Sequence, residues 1–227
     1  MKNQPKNTTI ILVNGQPLSG KTELSNHLKK LLEEARHEHR NGNPYTSCVI
    51  CDTGEESKRR LPLEGEYLYA RRIAYTRREN GFPQPVLSTA KVLHDFFDEH
   101  LSSTKDIIIS GSPRTMLESE ILLEFLNNAY EYRNRDYGLV FFSVRLNITQ
   151  DEFHKRLEKR AVDQKRPDDL LKKAVAQRIE TFEKHTSYAI DNLVRGLKIP
   201  THRQIEINST ENTKYEVFEM IERSLFR

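Results

Sequence analysis

Eight consecutive residues, Gly15-Gln16-Pro17-Leu18-Ser19-Gly20-Lys21-Thr22, have the types and spacing to hold phosphate. They fit G-x-x-x-x-G-K-[ST] in full. The glycines let the backbone turn its N–H groups inward around phosphate oxygens, and a helix starting there adds favourable partial charge. Lys21 is placed to reach β- and γ-phosphates, and the Thr22 hydroxyl to ligate Mg²⁺. Gly15, Pro17, Ser19, Gly20, Lys21 and Thr22 are therefore candidates for binding ATP. Such a loop alone does not choose between a kinase, a GTPase and a mechanical ATPase.

A second chemical feature is Ser110-Gly111-Ser112-Pro113-Arg114-Thr115, a tight polar turn that ends the apolar run Ile107-Ile108-Ile109 and carries one cation. Further along, Arg156, Arg160, Arg166 and Arg178 recur in a stretch of helical composition. Moving a phosphoryl group between two polyanions needs several convergent cations, and Arg supplies planar, permanently charged, bidentate donors. Taken singly, each of these arginines reads as a solvated surface residue.

The elements that must position these groups follow from hydrophobic period. Apolar, β-branched runs predict strands at residues 8–13, 47–52, 107–110, 139–144 and 204–207. Helical spacing predicts helices at about 21–40, 86–101, 116–130, 149–161, 168–192 and 211–226. The strands are continuous apolar runs alternating with helices, which implies a mostly parallel sheet covered on both faces. The polar segment 53–80 lies between a strand and a helix and reads as an insertion over the sheet's edge.

Composition bounds the rest. A hydrophobic content of 36% with 30% charged residues fits a soluble globular chain, and 227 residues suit one α/β domain. The net charge of +3, from 36 basic against 33 acidic residues, does not argue for a nucleic-acid binder. The pairs Arg59-Arg60, Arg71-Arg72 and Arg77-Arg78 are interleaved with glutamates, which favours a solvated helical face. No run approaches the roughly 20 apolar residues of a membrane span, and the N-terminus lacks a secretory h-region. Cys48 and Cys51, three apart on a strand, point to opposite faces, which opposes a disulfide. They read as buried reduced thiols of a cytoplasmic protein.

With these motifs in hand, the chain resembles the short-lid adenylate kinase-like nucleoside monophosphate kinases of the P-loop NTPase superfamily. The phosphate loop is followed by Asp52-Thr53-Gly54-Glu55, similar to that family's S-T-G-D segment, and by Gly111-Ser112-Pro113-Arg114-Thr115, similar to its G-F-P-R-T. Arg156-Leu157-Glu158-Lys159-Arg160 resembles its R-x-x-x-R, and Arg166-Pro167-Asp168-Asp169 its R-x-D-D, with Arg178 on the helix that follows. The resemblance covers nearly the whole chain.

It implies a three-layer α/β sandwich with a five-stranded parallel sheet of order 2-3-1-4-5, a P-loop kinase fold. Residues 1–227 would form one domain, with an acceptor-binding insertion at about 53–85 and a short lid at about 160–168. It implies reversible transfer of the γ-phosphoryl group of ATP to a nucleoside monophosphate, AMP foremost, with Mg²⁺, by a cytoplasmic monomer without nucleic-acid or membrane partners. Lys21, Arg114, Arg160, Arg166 and Arg178 would be catalytic, with Arg156 and Arg160 on the donor. Thr53, Gly54, Gly111, Arg114 and Glu118 would bind the acceptor, with Arg59 chosen over Lys58 to reach its phosphate. Asp168 and Asp169 would cap the helix behind the lid and latch its arginines.

This sequence departs from the family pattern at several places. Ser110 stands where the family usually has an Asp that helps hold water on Mg²⁺, and Thr22 directly follows Lys21. The interval from Asp169 to Arg178 is one residue longer than usual, which a local bulge would absorb. Gly81-Phe82-Pro83-Gln84-Pro85 replaces an aliphatic segment, and Glu118 stands for a Gln, so the acceptor base is open. The alternatives are a phosphate-loop kinase of another small molecule and a catalytically weak ATP-binding regulatory protein.

Overall fold

The structure is a computed structural model and describes residues 8–39, 47–60, 72–73, 75–77, 80, 82–101, 105–133, 139–163 and 172–225, with backbone alone at 35–39, 130–133, 160–163 and 172–174. The lid expected at 160–168, with Arg166, Asp168, Asp169 and the side chain of Arg160, lies outside the described residues. So does much of the insertion expected at 53–85.

Five strands form one parallel sheet of order β2-β3-β1-β4-β5. They are β1 (Thr8–Gly15), β2 (Cys48–Asp52), β3 (Asp106–Ser110), β4 (Leu139–Asn147) and β5 (Gln204–Asn208). β1 lies in the centre, in register with β3 through Ile10↔Ile107 to Val13↔Ser110, and with β4 through Thr8↔Leu139 to Gly15↔Leu146. The chain moves to one side of β1 for β2 and β3 and to the other for β4 and β5. That switch point leaves a crevice at the carboxyl ends of the strands, where open α/β sheets take ligands.

Both faces are covered, which is why the strands are apolar throughout rather than alternating. Ile10 and Leu12 of β1, with Ile107 and Ile109 of β3, pack on one face against Leu93, Phe96, Leu122, Ile190 and Leu193. These come from α3 (Val86–His100), α4 (Met116–Arg133) and α7 (Ser187–Gly196). On the other face Ile11, Val13, Ile108 and Leu146 meet Leu24 and Leu28 of α1 (Lys21–His39), and Val217 and Ile221 of α8 (Lys214–Leu225). The architecture is the three-layer sandwich expected. Cys48 falls in the second cluster and Cys51 in the first, so the two free thiols lie on opposite faces; burial holds the Cys51 thiol far above its ordinary range.

The remaining described helices are α2 (Thr53–Arg60), α5 (Gln150–Asp163) and α6 (Lys172–Thr181). The helix expected over 168–192 is instead two α-helices, α6 and α7, joined by a π-helical turn at Phe182–Thr186. The wider turn lies beyond Arg178, outside the 169–178 interval where a bulge was expected; the described part of that interval, from Lys172, is regular α-helix. No described helix is long and apolar enough to cross a membrane.

Candidate nucleotide-phosphate site

The loop between β1 and α1 is shaped by backbone conformations that only certain residues tolerate. Gly15 has φ of +143°, and a Cβ there would lie 2.1 Å from the Leu146 carbonyl oxygen, so no side chain fits. Gly20 at +96° and Leu18 at +64° complete a run of left-handed positions. Left-handed turns of this kind are where backbone amides can form concavities that receive anions; within this loop the Ser19 amide is bonded to Gln16 O at 3.3 Å. The loop is pinned from outside: the Gln16 amide donates to Leu146 O at 3.2 Å, and the Ile148 amide donates to Gln16 Oε1 at 2.8 Å.

Lys21 lies back over this loop, donating to the carbonyls of Gly15 at 3.0 Å and Gln16 at 2.6 Å. Thr22 is exposed on the first turn of α1. Ser19 Oγ is buried in the loop with no hydrogen-bond partner among the described residues. A buried hydroxyl in that state costs stability unless something else meets it. A glycine-containing loop at a helix N-terminus, two hydroxyls and an ammonium fit a polyphosphate chelating a hard cation. Among the described residues no three His, Cys, Asp or Glu converge on one point. A divalent ion here would be held by one hydroxyl, phosphate oxygens and water, which is how Mg²⁺ is usually bound.

On the outer side of the loop lies a cavity of about 280 Å³, lined by Leu18, Gly20, Arg156, Ser209, Asn212 and Phe218 among others. Arg156 is its main fastening. It donates to Glu152 Oε1 at 2.7 Å, to Leu18 O at 3.2 Å and to Ser209 O at 2.8 Å, tying the loop to the end of β5. Ser209 in turn donates to Ser19 O at 3.2 Å. Phe218 forms a wall and stacks on His27 at 3.9 Å with the rings 6° apart, while Lys214 and Glu23 pair at 3.2 Å. Of the wall residues, sequence reading names Ser19, Gly20 and Arg156. The signal for the rest is the polar run 208–213 at the carboxyl end of the last strand, where ligands gather.

Arg178 rides on α6, and its neighbours Val175 and Ile179 pack with Phe153 around Leu18, so the helix that carries it lies against the phosphate loop. Arg114 sits at the opposite rim. Its Nε donates to Gly111 O at 3.1 Å, and its carbonyl accepts from Thr186, a residue of the π-helical turn, at 3.1 Å. No carboxylate lies within ion-pair distance of Arg114 among the described residues, which leaves its charge available to an anion. Glu118 is buried and accepts the Arg114 amide at 2.7 Å. Burial raises its carboxyl above the ordinary value, against the opposing pull of the Arg114 charge.

Around Glu118 the rim beyond β2 and β3 is polar and closed. Thr53 Oγ1 and Ser112 Oγ lie 3.1 Å apart, and Ser57 donates to Gln84 Oε1 at 2.6 Å. Gly54 lies in the first turn of α2 and Gly111 in the bend that follows β3. Arg59 is on α2 but turned onto Glu56 at 2.9 Å and Glu99 at 3.3 Å, and the hydrogen bond to Glu56 raises its already high pKa. Arg60 shares both carboxylates and lies over the Phe96 ring. The structure thus brings the loop, Arg156 and the helix of Arg178 into one neighbourhood, with Arg114 and Glu118 across it. It engages Arg59 elsewhere.

No family model and no curated protein matches this sequence. Among solved structures, the crystal structure of a "putative kinase" from Chloroflexus aurantiacus J-10-fl is similar over 98% of this chain and 98% of that chain, with a TM-score of 0.52 and 12% sequence identity. At that identity the likeness bears on the fold alone.

Proposed function

We propose that this protein is a phosphotransferase that moves the γ-phosphoryl group of ATP to a nucleoside monophosphate, with AMP the first acceptor to test. The observation that carries the reading is a complete phosphate loop at the sheet's switch point, with Arg114, which has no ion-pair partner among the described residues, just past the end of the adjacent strand β3. The full-length likeness to a structure described as a "putative kinase" supports the same class of chemistry.

In this reading the loop amides, Ser19 and Lys21 hold the donor's β- and γ-phosphates, and the cavity beside Arg156 and Phe218 takes its nucleoside. Mg²⁺, when bound through Thr22, draws charge from the phosphate oxygens. Lys21 exchanges its two loop carbonyls for phosphate oxygens. Arg114 fixes the acceptor's phosphate in line, and Arg178, with Arg160 and Arg166, neutralises the charge spread over the group in flight. An ionised phosphate acceptor needs no general base, so positioning and electrostatics carry the rate. Arg59 reaches the acceptor only by leaving Glu56 and Glu99, so its contribution is smaller than that of Arg114.

A second reading, transfer to another small molecule, draws on one observation: Glu118 is buried and closed inside its turn on the Arg114 amide. A coupled assay for ADP across AMP, CMP, UMP, GMP and dTMP separates the two. The first reading expects turnover with at least one monophosphate, AMP foremost. ATP binding with no turnover on any of the five would remove it.

A further inference from the structure

A divalent ion at this loop has one protein ligand in view, Thr22, and Mg²⁺ keeps several waters that need an acceptor beside them. Phosphate-loop proteins supply that acceptor as an Asp near the loop. The position nearest in this sheet is the end of β3, paired to β1 through Val13↔Ser110, and it holds a serine. The next strand out ends in an acid. β2 and β3 run in register to their last residues, Asp52↔Ser110.

Side chains alternate across a strand. Cys48 and Ile50 of β2 and Ile108 of β3 belong to the cluster under α1, so Asp52 and Ser110 face that same side of the sheet. It is the side on which α1 begins, with Lys21 and Thr22. Among the described residues, Glu23 pairs with Lys214 and is exposed, Glu152 pairs with Arg156, and Glu118 is closed on the Arg114 amide. Asp52 is half-spent. Its Oδ1 accepts the Gly54 amide at 2.9 Å and the Glu55 amide at 3.2 Å, while its Oδ2 has no hydrogen-bond partner among the described residues.

Building on the phosphotransferase reading above, we propose that Asp52 takes the place left by Ser110: its Oδ2 orients water on the loop-bound Mg²⁺, from one strand further out. The acid and the hydroxyl have exchanged places across one rung of the ladder. Asp52 is then a positioning residue, acting through metal-bound water, and also the cap that starts α2.

The two roles separate by substitution. Asn caps a helix as well as Asp does but carries no charge. In the full chain, binding of Mn²⁺ in the presence of a non-hydrolysable ATP analogue is followed by electron paramagnetic resonance, with thermal melts alongside. Asp52→Asn is expected to leave the melting temperature unchanged and to raise the Mn²⁺ dissociation constant about tenfold or more, the usual effect of losing an outer-shell partner. The exchange variant Asp52→Ser with Ser110→Asp, which returns a carboxylate to the same rung, is expected to bring that constant back toward the wild-type value. Wild-type Mn²⁺ affinity in Asp52→Asn, or no recovery in the exchange variant, would overturn the proposal. If the wild-type chain binds neither the analogue nor Mn²⁺ with it, the parent reading fails instead.

Discussion

Glu118 and Arg114 illustrate how a single side chain can be structural and chemical at once. The Glu118 carboxyl fastens the turn that aims Arg114, yet it is buried and its pKa is raised by that burial. A carboxyl raised in the folded state stabilises fully below its unfolded value of about 4.3, and that contribution is lost as pH rises through the folded value. Glu118→Gln keeps an acceptor for the Arg114 amide and has no proton to lose. The wild type should therefore lose stability relative to the variant as pH is raised from about 4 to 8, measured by denaturant melts. A difference that does not change with pH would contradict the buried carboxyl. At this scale the phosphate loop was legible because its residues are contiguous. Asp52 was quoted in the sequence but given no role, because its relation to Ser110 exists only through strand register. Arg59 was preferred to Lys58 without sight of Glu99, forty residues away, which now holds it.

At the scale of elements, the sheet was legible almost to the residue because buried parallel strands are continuous apolar runs. The helix over 168–192 was not. The stretch 182–186, Phe-Glu-Lys-His-Thr, has ordinary helical composition, and a π-helical turn changes the pitch without requiring a different one, so nothing in the sequence marks it. Nor did the sequence indicate that α8 forms a wall of the cavity beside the loop. α8 starts with a reciprocal cap: the Glu216 amide donates to Thr213 Oγ1 at 3.3 Å, and the Thr213 amide to Glu216 Oε2 at 2.7 Å. Thr213→Ala should cost about 1 kcal/mol of stability. Because Lys214 and Phe218 line the cavity on the same helix, KM for ATP should rise while kcat holds. An unchanged KM for ATP in a variant of lowered melting temperature would separate α8 from donor binding.

Across the whole molecule, the switch point collects residues from β1, α1, β3, α5, α6 and the end of β5 at one edge of the sheet. Groups as distant in sequence as Gln16 and Ile148, or Ser19 and Ser209, are joined there by direct hydrogen bonds. That convergence is what a transfer between two phosphates requires, and it can be tested on the transferred group itself. ATP labelled in its γ-phosphate is incubated with AMP, Mg²⁺ and the protein, and the label is traced. The account predicts label in the β-phosphate of newly formed ADP, with Lys21→Ala slowing its appearance about 100-fold or more, as for loss of a preorganised electrostatic contact. Label released only as inorganic phosphate, at a rate indifferent to AMP and to Lys21, would contradict it.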